Sequence, residues 1–139
     1  VNVSPRSAPF AWPVRVYYED TDAGGVVYHA SYLRFMERAR TEWLRSHGWS
    51  VERLRAEFGL LFVVARAELE FLRPVRHDEV LEVSAAPAGR GRSWLDVAQE
   101  IRRPSGETVA RGRVRLVAVS ESGLRPVPFP SVLDEVFTA

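Results

Sequence analysis

Between Pro13 and Glu19 apolar and polar residues alternate, with Val14, Val16 and Tyr18 set against Arg15, Tyr17 and Glu19. A period of two predicts a strand with one buried face. From Ser31 to His47 the period lengthens. Tyr32, Met36, Ala39 and Trp43 recur at four and three residues, and Leu33, Phe35 and Leu44 widen the stripe. Arg34, Glu37, Arg38, Arg40, Glu42 and Arg45 fill much of the remainder. This predicts an amphipathic helix with Ser31 as N-cap, Gly48 as its stop and His47 in the last turn. Ser50 to Phe58 predicts a second, short helix ending at Gly59. Four more strands are expected, at Leu61–Leu72, Val80–Ala85, Ser93–Arg102 and Thr108–Ser120. In the last, Ala110, Gly112, Val114, Leu116 and Ala118 share one face, and Arg111, Arg113 and Arg115 share the other, wet one. The Pro-rich end, RPVPFPSVLDEVF, reads as an extended tail with one helical turn.

Strands joined by short turns pair antiparallel, and an amphipathic helix must bury its stripe on the sheet they form. The expected fold is α+β: a five-stranded antiparallel sheet curved around one long central helix. A small core and exposed edge strands favour a homo-oligomer. The length, 139 residues, suits one domain. The first eleven residues, VNVSPRSAPFA, lack the apolar centre of a secretory signal and are read as a loose tail. No apolar run is long enough to span a membrane, so a cytoplasmic protein is expected.

Composition narrows the chemistry. The net charge of +1 gives no reason to expect nucleic acid as a partner. All 19 basic residues are Arg, so Schiff-base lysines and the phosphate-loop lysine are ruled out. Without Cys there is no disulfide, thiolate nucleophile or Cys-rich zinc site. The His residues, at 29, 47 and 77, show no i, i+4 pairing, so no metal is expected. No G-x-S-x-G elbow occurs.

The stretch YEDTDAGGVVYHAS carries the candidate chemistry. Glu19, Asp20 and Asp22 crowd the end of a strand, Gly24 and Gly25 follow, and a helix begins a few residues later. Glycine lets backbone N–H groups approach a ligand, and a helix start offers N–H groups without internal partners. A carboxylate beside such a positive end suits attack on a carbonyl, directly or through water. Asp and Gly are also ordinary turn and cap residues, and Asp20 is read as a structural member of the turn. The His29 side chain reads as a hydrogen-bond partner for substrate or water. Asp20-Thr21-Asp22 after a strand also resembles the start of a haloacid-dehalogenase-type phosphatase. That fold needs parallel strands with several crossovers and usually a later Lys, whereas this chain offers one long helix and no Lys.

The run RVYYEDTDAGGVVYHASYLRFMERARTEWLR at residues 15–45 resembles the signature of the 4-hydroxybenzoyl-CoA thioesterase family of hotdog-fold proteins. Within that family it is similar to the acyl-CoA thioesterase branch associated with the Tol–Pal cell-envelope system. FVVARAELEFLRPVRHDEVLEV and GRGRSW also fit, and the resemblance spans residues 12–136. It implies a single hotdog domain, dimers often paired into tetramers, and active sites at subunit interfaces. By position, Asp22 matches the catalytic carboxylate, and the His29 N–H matches the group that polarises the thioester carbonyl. Gly25 and Tyr28 would line the substrate site, and Arg90, Arg92 and Ser93 fall where CoA phosphates are often contacted. The implied activity is hydrolysis of acyl-CoA to free acid and CoA, with no cofactor. Tyr28-His29-Ala30-Ser31 departs from the Trp-Tyr-Pro-Asn of the aromatic-substrate prototype, which favours the broader acyl-CoA branch. The Tol–Pal link raises a rival reading: a binding protein for acyl carrier protein or the cell envelope, at the inner membrane through partners, whose hydrolysis is incidental. A hotdog dehydratase would need His29 and Glu37 as its acid–base pair, and the sequence lacks that group's pattern.

Overall fold

The alternating and helical stretches become strands and helices in the order β1 (Phe10–Arg15), α1 (Ser31–Ser46), α2 (Val51–Phe58), β2 (Leu60–Phe71), β3 (Val80–Arg90), β4 (Trp94–Arg102), β5 (Thr108–Ser120) and α3 (Asp134–Thr138). The structure is a computed structural model and describes residues 9–138. All strand pairs are antiparallel, in the order β1-β3-β4-β5-β2. The expected five-stranded antiparallel sheet is therefore present. Three α-helices accompany it rather than one long helix. Of these α1 is the longest, at 16 residues.

Several boundaries shift for physical reasons. Most of the expected tail at 1–11 lies outside the described residues, but Phe10 and Ala11 belong to β1, where Phe10 pairs with Ala85 and stacks on Trp12. The same strand ends at Arg15, because Tyr18–Asp20 winds into a 3-10 turn that leaves Tyr18 exposed. Strand β3 runs on through Pro87, past the last described β1 pair, where a residue without an N–H is tolerated. Ser31 is not an N-cap. It is the first helical residue, and its hydroxyl accepts a hydrogen bond from Arg34 at 2.9 Å.

The far end of α1 closes as expected. Gly48 takes φ +85°, its N–H bonds the Arg45 carbonyl at 2.9 Å, and the Trp49 N–H bonds Leu44 at 3.0 Å. This is the paired-bond C-terminal motif that a left-handed glycine permits. The next helix, α2, has the expected Gly59 stop, while Ser50, read as its first residue, is instead its cap and accepts from the Arg53 N–H at 3.0 Å.

Tyr32, Phe35, Met36, Ala39, Trp43 and Leu44 form the buried stripe of α1. They join Leu81, Val83, Leu95, Val97, Ile101 and Val114 from the inner face of the sheet in one core. Gly112 lets α1 and β2 come close. A Cβ built there would lie 2.5 Å from the Glu68 carbonyl and 2.9 Å from Met36 Cε.

The outer face carries the charge. Asp96, almost buried, accepts from Arg115 at 2.7 Å and from Arg113 at 3.2 Å, while Arg111 pairs with Glu70 at 2.8 Å. The Arg115 guanidinium also lies 3.9 Å from the centre of the Trp94 ring. Hydrogen bonds from Arg115, with help from Arg113, hold the Asp96 carboxyl below the ordinary aspartate range despite burial.

Gly112→Val should lower stability by about 1–3 kcal/mol through overpacking, read as a reduced urea midpoint with unchanged m. Asp96→Asn should lower the midpoint at neutral pH. A depressed carboxyl stabilises above its unfolded pKa of about 3.9 and loses that contribution as pH falls through the folded value. The gap between Asp96→Asn and wild type should therefore narrow below about pH 4, measured as midpoint against pH.

Candidate active site

The carboxylate-rich stretch folds into a small pinned hairpin ahead of α1. Thr21 bridges Val27, the Asp22 N–H bonds the Val26 carbonyl at 2.9 Å, and the Tyr28 N–H bonds the Asp20 carbonyl at 2.9 Å. A second tie fixes it to the connection between β2 and β3: Val26 bridges Arg76, and the Val27 N–H bonds the Val75 carbonyl at 2.8 Å. Gly25, at φ +80°, makes the bend that no β-branched residue would tolerate. Asp22, Gly25, Tyr28 and His29 are thus brought together by local backbone bonds.

Asp20 anchors the hairpin from below. It is 1% exposed, and its Oδ2 accepts the Tyr17 N–H at 2.8 Å. Its Oδ1 has no hydrogen-bond partner and lies 3.6 Å from Arg34 Nη2 on α1. Asp20 therefore acts as the structural carboxylate expected of it.

Asp22 differs. Its Oδ1 accepts the Gly24 N–H at 2.8 Å, an Asx turn, and its Oδ2 makes no hydrogen bond among the described residues. The side chain is exposed in the single chain. A few residues on, the His29 and Ala30 N–H groups, which precede the first turn of α1, find no acceptor among the described residues. The hairpin therefore carries an available carboxylate oxygen and leads into two available backbone donors at the positive end of α1.

Aromatic rings line this end. Tyr28 and His29 lie 4.5 Å apart between ring centres, His29 meets Phe71 edge-on at 6.3 Å, and Tyr32 sits 5.5 Å from Phe71. Phe71, at the end of β2, is a site neighbour that sequence periodicity did not reveal, since only the β2–β5 pairing brings it here.

Arg90, Arg92 and Ser93 lie elsewhere, at the β3–β4 turn. The hairpin of Asp22 docks at the Val80 end of β3, and Arg90 is ten residues along the same strand, about 30 Å away at strand rise. Arg90 pairs with Asp134 at 3.0 Å and lies over Phe129 and Phe137, so it helps to hold α3. Arg92 is exposed, and its carbonyl accepts the Phe129 N–H at 2.9 Å. The Ser93 carbonyl accepts the Ala118 N–H at 2.8 Å. One copy of the chain does not bring these residues to Asp22.

A five-stranded antiparallel sheet packed on α1 is the α+β arrangement expected. The model of the thioesterase-like superfamily matches residues 16–137, and the chain belongs to that family. It is 44% identical over 128 residues to the acyl-CoA thioester hydrolase YbgC of Escherichia coli strain CFT073, covering 92% of this chain and 95% of that protein. It is 38% identical to the acyl-CoA thioesterase YbgC of Haemophilus influenzae, covering 92% and 93%. Among solved structures, a protein from Aquifex aeolicus superposes with a TM-score of 0.86 at 30% identity, covering 93% of this chain and 99% of that one. The resemblance read from the DTDAGGVVYHASY motif is borne out. No helix among the described residues is long and apolar enough to cross a membrane.

Asp20→Ala should lower stability by about 1–3 kcal/mol, because it strips the Tyr17 N–H of its acceptor. Asp20→Asn, which keeps an acceptor oxygen, should cost less. Urea denaturation of both variants checks the order.

Proposed function

We propose that the protein is an acyl-CoA thioester hydrolase, converting acyl-CoA and water to a free acid and CoA, with Asp22 as nucleophile or general base. The observation that carries this reading is the pinned hairpin, which carries a free carboxylate oxygen on Asp22 and leads into the N–H groups of His29 and Ala30, unpartnered among the described residues, ahead of α1. These donors suit the oxyanion that forms when the thioester carbonyl is attacked. A thiol leaving group with a pKa of about 8.5 departs largely as thiolate, so a dedicated general acid is not required. The similarity to proteins named as acyl-CoA thioester hydrolases supports the same substrate class.

The working unit is a homodimer or a homotetramer built from it, of hotdog domains with α1 at the centre of each. Asp22 is open to solvent in one copy, and a reacting carboxylate gains from a site that excludes water. Edge strand β2 leaves Val63, Val64 and Phe71 exposed, and Leu33 of α1 is exposed beside it, which suits a second copy. Such pairing would let Arg92 and Ser93 of one copy serve the Asp22 of another, with Arg90 fixing the turn. Gly25 and Tyr28 border the substrate.

Asp22→Asn should reduce kcat by at least about 100-fold on every acyl-CoA that the wild type hydrolyses, with an unchanged denaturation midpoint. Thiol release across short aliphatic, palmitoyl and benzoyl thioesters measures this. A folded Asp22→Asn with near-wild-type turnover would overturn the assignment. Absence of hydrolysis across the panel would favour the carrier-protein or envelope-binding reading.

A further inference from the structure

Ser31 is the first residue of α1, and its N–H bonds the Tyr28 carbonyl at 2.8 Å, closing a four-residue turn. His29 and Ala30 are the central residues of that turn, which leaves their N–H groups without an acceptor among the described residues. The aim of these donors therefore depends on what holds Tyr28 and Ser31. Tyr28 is held from the hairpin, with its N–H on the Asp20 carbonyl at 2.9 Å. Ser31 is held from the helix: Arg34 Nη2 donates to its hydroxyl at 2.9 Å, and the serine is completely buried. The same Nη2 lies 3.6 Å from Asp20 Oδ1, a buried oxygen that accepts no hydrogen bond. Asp20, Tyr28, Ser31 and Arg34 thus form a closed circuit around the His29–Ala30 turn.

Arg34 stands where helix electrostatics disfavour it. It is the fourth residue of α1, near the positive end of the helix dipole, and the first turn of that helix has no acidic residue. Helical side chains lean toward the N-terminus, which turns the guanidinium back onto Ser31 and Asp20. Asp20 supplies the opposite charge. Among the described residues Arg34 is the only cation at ion-pair distance from it. A buried carboxylate without a cation is costly, so the two residues fix each other, and with them the hairpin relative to the helix.

We infer that Arg34 is a positioning residue for the hydrolysis, holding the His29–Ala30 turn so that its two free N–H groups keep their aim at the carbonyl oxygen. This rests on the hydrolase reading of the Asp22 site. Arg34 acts through Ser31 and Asp20 and touches no reacting atom. Donors that stabilise a developing oxyanion work because they are held before the reaction starts, and a displacement of about 1 Å at such a site can cost about 100-fold in rate. Cutting the circuit at Arg34 leaves Asp22 and its Asx turn in place and lets the donors drift. The loss then falls on the transition state rather than on substrate binding.

The test measures kcat and KM on an acyl-CoA that the wild type hydrolyses, for wild type, Arg34→Ala, Asp20→Asn and the double variant, with folding checked by urea denaturation. Arg34→Ala should lower kcat at least about tenfold and change KM by less than about twofold. The double variant should be no slower than the slower single variant, because both substitutions break one circuit. Guanidinium ion at millimolar, sub-denaturing concentration should restore part of the Arg34→Ala rate and leave the wild type unmoved. In amide hydrogen exchange the Ser31 N–H should exchange at least about tenfold faster in Arg34→Ala than in wild type. A folded Arg34→Ala with wild-type kcat overturns the inference, as does a loss confined to KM or a double variant in which the two losses multiply. If Arg34→Ala does not fold, Ser31→Ala takes its place: it removes the hydroxyl acceptor, keeps the backbone bonds and should lower kcat with KM held, and a wild-type kcat there is equally fatal. If the wild type hydrolyses no thioester, the proposed function falls, and the Ser31 exchange rate decides the circuit alone: unchanged in Arg34→Ala, the circuit falls with it.

Discussion

Everything in this molecule is hung on the contact between the apolar stripe of α1 and the inner face of the sheet. Phe35, Met36 and Ala39 are completely buried there, against Leu81, Val83, Leu95 and Val97, which are equally buried. Burying each large side chain contributes about 1.5–3 kcal/mol relative to leaving it exposed. The contact is close because Gly112 has no side chain to hold Met36 away. Once α1 is seated, its first turn has a fixed position, and the hairpin before it has a fixed surface to pack on.

The charge and the flexibility of the hairpin have separate tasks. Asp20 is buried and ties the turn to Tyr17 and, at longer range, to Arg34 on α1. Asp22 remains outside with an oxygen unused, and the glycines make the bend that aims it. Two carboxylates two residues apart thus differ in environment, one buried and bonded to the backbone and the other exposed with a free oxygen, which suits the separate roles proposed for them. The N–H groups of His29 and Ala30, unpartnered among the described residues, stand at the start of α1 beyond the hairpin.

Edge strand β2 is exposed along much of its length, the candidate carboxylate faces solvent, and the β3–β4 turn stands at the opposite end of the sheet from it. The outer face of the sheet is different, because its charges are largely matched within the chain by pairs such as Arg115–Asp96 and Arg111–Glu70. Inside, Arg40 donates to the neutral amide of Gln99 at 3.0 Å, with no carboxylate at ion-pair distance among the described residues.

Much of this was legible in the sequence. The stripe from Tyr32 to Leu44, the Gly48 and Gly59 stops and the alternation of Ala110 to Ala118 against Arg111 to Arg115 all follow from spacing, because helix and strand periods are local properties of the backbone. The DTDAGGVVYHASY motif likewise pointed to the family and to Asp22, since a hairpin of a few residues is encoded by the residues within it. Other features depended on chain segments far apart in sequence. Strand order β1-β3-β4-β5-β2 set Phe71 beside His29 and parted Arg90 from the Asp22 hairpin. The burial of Asp20 and the pairing of Arg40 with Gln99 were also decided there, because burial and partners from distant strands belong to the surroundings that the whole fold assembles around a residue.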